Sequence, residues 1–298
     1  MAAAIRDGQF AELPNGMRLH FASAGEKGRP LILFVHGFPE FWYEWEAQLA
    51  EFGSDFFAVA PDLRGFNQSD MPLDLGQYKA KHIVDDLRLL AQHLGYDKFV
   101  MVAHDWGGAI AWNFAIALPQ LLHKLIIINS PHPYLFAQAL ANDPEQKAAS
   151  EYMNWLRAEG SESALAKDGF KLLEDLLNGM GKSPTPWFTP EVRARYHACW
   201  LRGLTGGVNY YRASPLHPPT AEHAGPAKLQ LSPDDFRVRI PTRVIWGERD
   251  IALPKSLLDG LDAVVDDLKL ERIPEGTHWV IHEQPERVNR LIRGFLAE

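Results

Sequence analysis

The chain of 298 residues has one cysteine, Cys199, so it can form no internal disulfide, and a cytoplasmic setting fits. No apolar run is long enough to cross a bilayer as a helix. The opening Met1-Ala2-Ala3-Ala4-Ile5-Arg6-Asp7 lacks the basic start and apolar stretch of a signal peptide. Positive charge is in deficit, with 30 Lys and Arg against 38 Asp and Glu and a net charge of -8. That argues against nucleic acid or an anionic membrane as the main partner, since both reward basic surfaces. No Cys/His spacing suggests zinc, so no metal and no cofactor are expected. Internal repeats and low-complexity tracts are absent as well. Oligomeric state is left open.

A hydrophobic content of 46% assures a core of useful size. Residues 31–35, 56–60, 98–103, 125–128, 242–246 and 268–273 read as strands, most of them apolar enough to be covered on both faces. Arg18 to Ala22, after the turn Pro14-Asn15-Gly16, closes an edge hairpin. Ile83, Leu87, Leu90 and Leu94 have helical spacing, as do Val288, Leu291, Ile292 and Leu296 near the end. Strands and helices alternating at this interval predict a mostly parallel central sheet with helices on both faces. From residue 131 the pattern changes to helical stretches rich in aromatics, followed by a Pro-rich connector from Pro215 to Pro226. The expected division is therefore a core of residues 1–130 and 236–298, with 131–235 inserted as a helical lid and return linker. Such an insertion would lie over the crevice where open α/β sheets bind ligands.

Between the strand ending at Ala103 and an apolar helix from Ala109 to Leu118 stands His104-Asp105-Trp106-Gly107-Gly108. The turn must be sharp, and paired glycines let helix and strand approach closely. This is the pattern of a nucleophile elbow, which lifts one side chain beside free N–H groups at a helix start. Here that residue is Asp105. Capping of the helix is its bland alternative.

Two further polar residues sit where strands end: Asp250, in Gly247-Glu248-Arg249-Asp250, and His278, in Gly276-Thr277-His278-Trp279. Asp105, Asp250 and His278 stand in the chain order nucleophile, acid, histidine of an α/β-hydrolase triad.

With these motifs, His36-Gly37-Phe38-Pro39 and Asn209-Tyr210-Tyr211-Arg212, the sequence resembles the α/β-hydrolase superfamily over nearly its whole length, and specifically its epoxide hydrolases. The elbow and histidine motifs are shared with dehalogenases. The resemblance implies that the backbone N–H groups of Phe38 and Trp106 form an oxyanion hole. It also implies that Tyr211, with Tyr152 in Ser150-Glu151-Tyr152-Met153-Asn154, donates to an epoxide oxygen, while Tyr210 is structural. His36, Gly37 and Pro39 then shape a loop.

Chemical reasoning agrees. A carboxylate is a poor reagent for acyl carbons but a sound nucleophile toward an sp³ carbon bearing a strained or good leaving group, where it forms an alkyl ester. His278, oriented by Asp250, would then activate water. An opening epoxide leaves as an alkoxide and needs an acid, which a tyrosine supplies. A leaving halide needs none. The reading is an epoxide hydrolase giving vicinal diols, with a small-molecule epoxide and water as its partners. A haloalkane or haloacetate dehalogenase is one alternative, and a non-catalytic ligand-binding protein on the same fold is another. Against the first, Phe38 stands where many haloalkane dehalogenases have Asn, and Trp106 and Ala109 follow the elbow where haloacid enzymes place arginines.

Overall fold

The computed structural model describes residues 3–179, 187–228 and 230–298. Among the described residues the strands are β1 (Ile5–Glu12), β2 (Arg18–Ala24), β3 (Leu31–Val35), β4 (Phe57–Pro61), β5 (Phe99–His104), β6 (Leu122–Ile128), β7 (Thr242–Gly247) and β8 (Leu268–Ile273). They form a single sheet in the order β1-β2-β4-β3-β5-β6-β7-β8. β2 runs antiparallel to β1 and β4, and the remaining pairs are parallel. This is the α/β-hydrolase architecture that the motifs suggest.

Every residue of β3, β4 and β5 is buried, so side chains on both faces are covered and the runs carry no polar alternation. The covering helices are α1 (Glu46–Phe52), α2 (Ala80–Leu94), α3 (Asp105–Ala117) and, at the chain's end, α12 (Pro285–Ala297). α1 packs against α12, and α2 against α3. α12 buries Val288, Ile292 and Phe295 and turns its charged face outward.

Between β6 and β7 the described chain is helical: α4 (Pro133–Asn142), α5 (Pro144–Ala149), α6 (Glu151–Arg157), α7 (Ser161–Gly179), α8 (Pro190–Trp200) and α9 (Thr205–Ala213). Backbone torsions inside α7 leave the helical region at Lys167, and Asp168, Gly169 and Phe170 have φ of 51, 65 and 67°, so it is two helices meeting at a kink. Short helices α10 (Leu261–Val264) and α11 (Val280–Glu283) flank β8. α9 lies against the loop after β4: a Cβ on Gly206 would collide with the backbone of Gly65, and the Tyr210 hydroxyl donates to the Arg64 carbonyl at 3.0 Å. Among the described residues no helix is long and apolar enough to cross a membrane.

Some boundaries differ from those read in the sequence. β6 begins at Leu122, three residues early, because Leu122 pairs with Phe99 across a register shift. α3 begins at Asp105, four residues before Ala109, because the backbone reverses within a single residue there.

Candidate active site

Asp105 follows β5 directly and has φ of 47°, a left-handed conformation that most side chains avoid. The turn is therefore completed in one residue, and the N-cap is His104, whose backbone is extended. Gly107 is required by contact: a Cβ there would collide with the carbonyl oxygens of Val35 and His36. Oδ1 of Asp105 accepts from the Phe38 N–H at 2.8 Å. Its main-chain carbonyl accepts from Ser130 Oγ at 2.7 Å. Burial raises the carboxyl above its usual range, against the pull of His278 and the N–H groups of Phe38 and Trp106.

Asp250 and His278 lie at the carboxyl ends of neighbouring strands β7 and β8. Nδ1 of His278 donates to Asp250 Oδ2 at 2.6 Å, and its Nε2 faces Asp105 Oδ2 at 3.6 Å. Burial alone would lower the imidazole, but the charges on Asp250 and Asp105 outweigh it and hold it at about 9. Burial likewise works against the Asp250 carboxylate, yet its pKa is lowered. The reason is its set of donors: His278, Asn129 Nδ2 at 2.9 Å, and the N–H groups of Ala252 and Leu253, both at 2.9 Å.

Tyr211, on α9, is 3% exposed, with its ring edge-on to Trp106 at 5.0 Å and to Phe38 at 5.4 Å. Tyr152, on α6, is 37% exposed, and its ring centroid is 6.2 Å from that of Tyr211. Burial and the nearby Asp105 charge push both phenols up, so each keeps its proton at neutral pH. The hydroxyl of neighbouring Tyr210 is spent on Arg64. The loop before the elbow is held by His36, whose Nδ1 donates to the Gly37 carbonyl at 2.8 Å and whose Nε2 accepts from the Leu63 N–H at 3.0 Å. The Phe38-Pro39 peptide in that loop is cis. All the sequence-derived candidates thus gather at one end of the sheet.

The α/β hydrolase fold family matches residues 30–285. Epoxide hydrolase 4 of Homo sapiens is 35% identical over 291 residues, covering 95% of this chain and 77% of that protein. The chain belongs to the epoxide hydrolase family of the α/β hydrolase fold. The crystal structure of the Bacillus megaterium epoxide hydrolase with an inhibitor superposes with a TM-score of 0.89 at 34% identity, covering 97% of this chain and 100% of that one. A variant of that Bacillus enzyme, complexed with its naphthyloxy-propane-1,2-diol product, gives a TM-score of 0.87 at 34% identity over 97% and 100% of the two chains.

Two features of this family member escape the sequence reading. Asn129 has φ of 38°, its Nδ2 donates to Asp250, and its Oδ1 accepts from the Gly247 N–H at 2.8 Å, tying β6 to β7 beneath the histidine. It too ends a strand, and Asn tolerates a left-handed backbone, so the signal was the one that marked Asp250. The second is a buried group behind His278: Glu40, Glu44 and His104, close enough together to suggest a metal site. Glu44 Oε1 and His104 Nδ1, however, are 2.6 Å apart, which leaves no room for an ion between them, and neither atom makes a hydrogen bond.

Burial, with the His278 charge, lowers His104 to about 3, so the ring is neutral. Its Nε2 donates to the His278 carbonyl at 2.9 Å, which leaves Nδ1 as an acceptor. Burial and the Glu40 charge raise Glu44 well above the usual carboxylate range, which favours its protonated form. Burial opposes ionisation of Glu40 too, but His282, His104 and Tyr196 bring it down to about 2.

Two cavities meet at Asp105. The larger, about 610 Å³, runs past Trp106, Ile110, Phe136 and Met153. The smaller, about 240 Å³, passes His278, Phe38, Leu165 and Leu176. Asp105, Tyr152 and Tyr211 line both.

Proposed function

We propose that the chain hydrolyses epoxides to vicinal diols through a covalent ester on Asp105. One arrangement carries the reading: a carboxylate with one oxygen held by an N–H and the other free, facing two protonated phenols across an apolar cavity. The helices between β6 and β7, which bear both phenols, act as the lid.

In the first step Asp105 Oδ2 attacks one epoxide carbon. A carbon–oxygen bond to the enzyme forms, the ring bond breaks, and its electron pair goes to the ring oxygen. Tyr152 and Tyr211 hydrogen bond that oxygen, and one of them protonates it. The resulting alkyl ester removes the charge of Asp105, one of those holding His278 near 9, so the imidazole becomes easier to deprotonate as a base is needed. Asp250 remains charged and supports the imidazolium that forms next.

In the second step the imidazolium first gives its proton through solvent to the tyrosinate; the neutral His278 Nε2 then takes a proton from water as the hydroxide attacks the ester carbonyl. The tetrahedral oxyanion draws on the N–H groups of Phe38 and Trp106. Its collapse expels an alkoxide with the oxygen that attacked; this takes the remaining proton of the water to complete the diol, and the water's oxygen stays in the Asp105 carboxylate. The carboxylate, the phenol and the imidazolium are thereby restored, and the cycle closes.

The deciding experiment is product analysis with epibromohydrin, which offers one enzyme both a ring and a carbon–bromine bond. Bromopropanediol formed by the native chain and not by Asp105→Asn supports ring opening. Glycidol with free bromide would replace the reading by dehalogenation.

A further inference from the structure

We propose that Arg157 and Arg212 are positioning residues for ring opening: each reaches from one lid helix to the carbonyls that end the other, and together they hold Tyr152 beside Tyr211. The inference rests on the hydrolase reading above and extends it from the two phenols to what spaces them. Two donors that share one acceptor at about 2.7 Å each can stand no more than about 5.5 Å apart. Tyr152 and Tyr211 come from different helices, α6 and α9, so their spacing depends on how those helices are joined. Burial does not fix Tyr152 by itself, since that side chain is 37% exposed.

The join is reciprocal. Nη1 of Arg157, the last residue of α6, donates to the carbonyls of Tyr211 at 2.5 Å and Ser214 at 2.9 Å, where α9 ends. In return Arg212, in the last turn of α9, donates through Nη2 to the Ala158 carbonyl at 2.8 Å and through Nε to the Arg157 carbonyl at 3.3 Å, where α6 ends. The last carbonyls of a helix have no partner within it and carry the negative end of its dipole, so a guanidinium suits each place. Glu162, in the first turn of α7, accepts from Arg212 Nη2 at 2.6 Å and holds that guanidinium in position. Neither arginine lines the cavities at Asp105. Any effect on the chemistry therefore passes through the phenols.

The rest of the frame has its own supports. α9 is seated on the loop after β4 through Gly206 and Tyr210. The start of α6 is tied to the core by Gln146, whose Nε2 donates to Ser150 Oγ at 2.7 Å and to the Ala252 carbonyl at 3.1 Å. The two arginines secure the far end of α6. Tyr152 stands between those ends, and releasing the arginine end lets its hydroxyl drift while Tyr211 stays in place.

The test is rapid-quench kinetics on the purified chain with epibromohydrin, resolving ester formation from ester hydrolysis. Arg157→Gln should slow ester formation by at least about tenfold. Ester hydrolysis should be unchanged, because the phenols act only on the opening ring. Arg157→Lys, which keeps a donor for one carbonyl, should lose less. In a Tyr152→Phe background the same Arg157→Gln change should cost less than about twofold, since no hydroxyl is left for the arginines to place. Arg212→Lys, which keeps the charge facing Glu162 and loses the planar fork, repeats the cycle from the other helix and decides the matter if Arg157→Gln does not fold. Undiminished ester formation in both arginine variants overturns the inference and leaves the hydrolase reading standing. So does equal slowing of both steps, or a full loss that persists without the Tyr152 hydroxyl. Formation of no ring-opened ester by the native chain overturns both.

Discussion

Nε2 of His278 stands 3.6 Å from Oδ2 of Asp105, too far for a direct hydrogen bond and close enough for both to touch one water. The gap separates the two half-reactions. The carboxylate needs no help from the ring to attack, whereas the ester cannot be hydrolysed without it. His278→Gln should therefore be alkylated and then stall. Intact-protein mass spectrometry after mixing with an epoxide should show a gain of one substrate mass, mapping to the peptide with Asp105. Absence of the adduct would exclude the covalent route.

The same ring predicts a pH signature in stability. His278 is held at about 9, above its ordinary 6.5. A group raised on folding gives its full stabilisation below the unfolded value and loses it as pH climbs through the folded one. Between about pH 6 and pH 10 the native chain should lose on the order of 3 kcal/mol that His278→Gln does not. Urea unfolding of both at the two pH values measures the difference, and parallel curves would refute it.

The two phenols should be separable from the triad. Tyr211→Phe and Tyr152→Phe each remove one donor from the opening ring, at a typical loss of about 10²–10³ in rate. Rapid-quench kinetics should show that loss in ester formation, with ester hydrolysis unchanged. The double variant should be nearly inert toward epoxides. Equal slowing of both steps would mean that the tyrosines shape the pocket and do not act on the ring.

Glu40 and Glu44 are chemically alike, adjacent and buried, yet opposite in protonation. Glu44→Gln keeps the pattern, since the neutral amide can accept from the Gly37 N–H, as Glu44 Oε2 does at 3.1 Å. It should change unfolding free energy by less than about 0.5 kcal/mol. Glu40→Gln removes a charge that accepts from Tyr196 and His282, and should cost about 1.5–3 kcal/mol. Similar losses in the two variants would reverse the assignment.

The sheet was legible in the sequence because strands buried on both faces must be apolar throughout, as Leu31 to Val35 and Phe99 to Ala103 are. Asp105, Asp250 and His278 were legible because each ends a strand of one parallel sheet, so position along the chain predicts proximity. The choice of Tyr152 and Tyr211 came from family resemblance, and periodicity could not supply it. Asn129 and the Glu44–His104 pair stayed hidden for another reason. Their protonation and partners depend on burial from several elements at once, and a loop Asn or a helix Glu looks ordinary in isolation. The kink at Asp168 to Phe170 and the two-chambered site are likewise products of packing and not of local pattern.

Gly206 against Gly65, with the Tyr210 hydroxyl on Arg64, does more than fill space. Two backbones in contact without side chains between them behave as a keyed joint, with no slack for sliding along the seam. Tyr211, the next residue after the joint, is thereby indexed to the core that carries Asp105. On the proposed hydrolase reading, the phenol that meets the ring oxygen is therefore in register with the attacking carboxylate before a substrate enters.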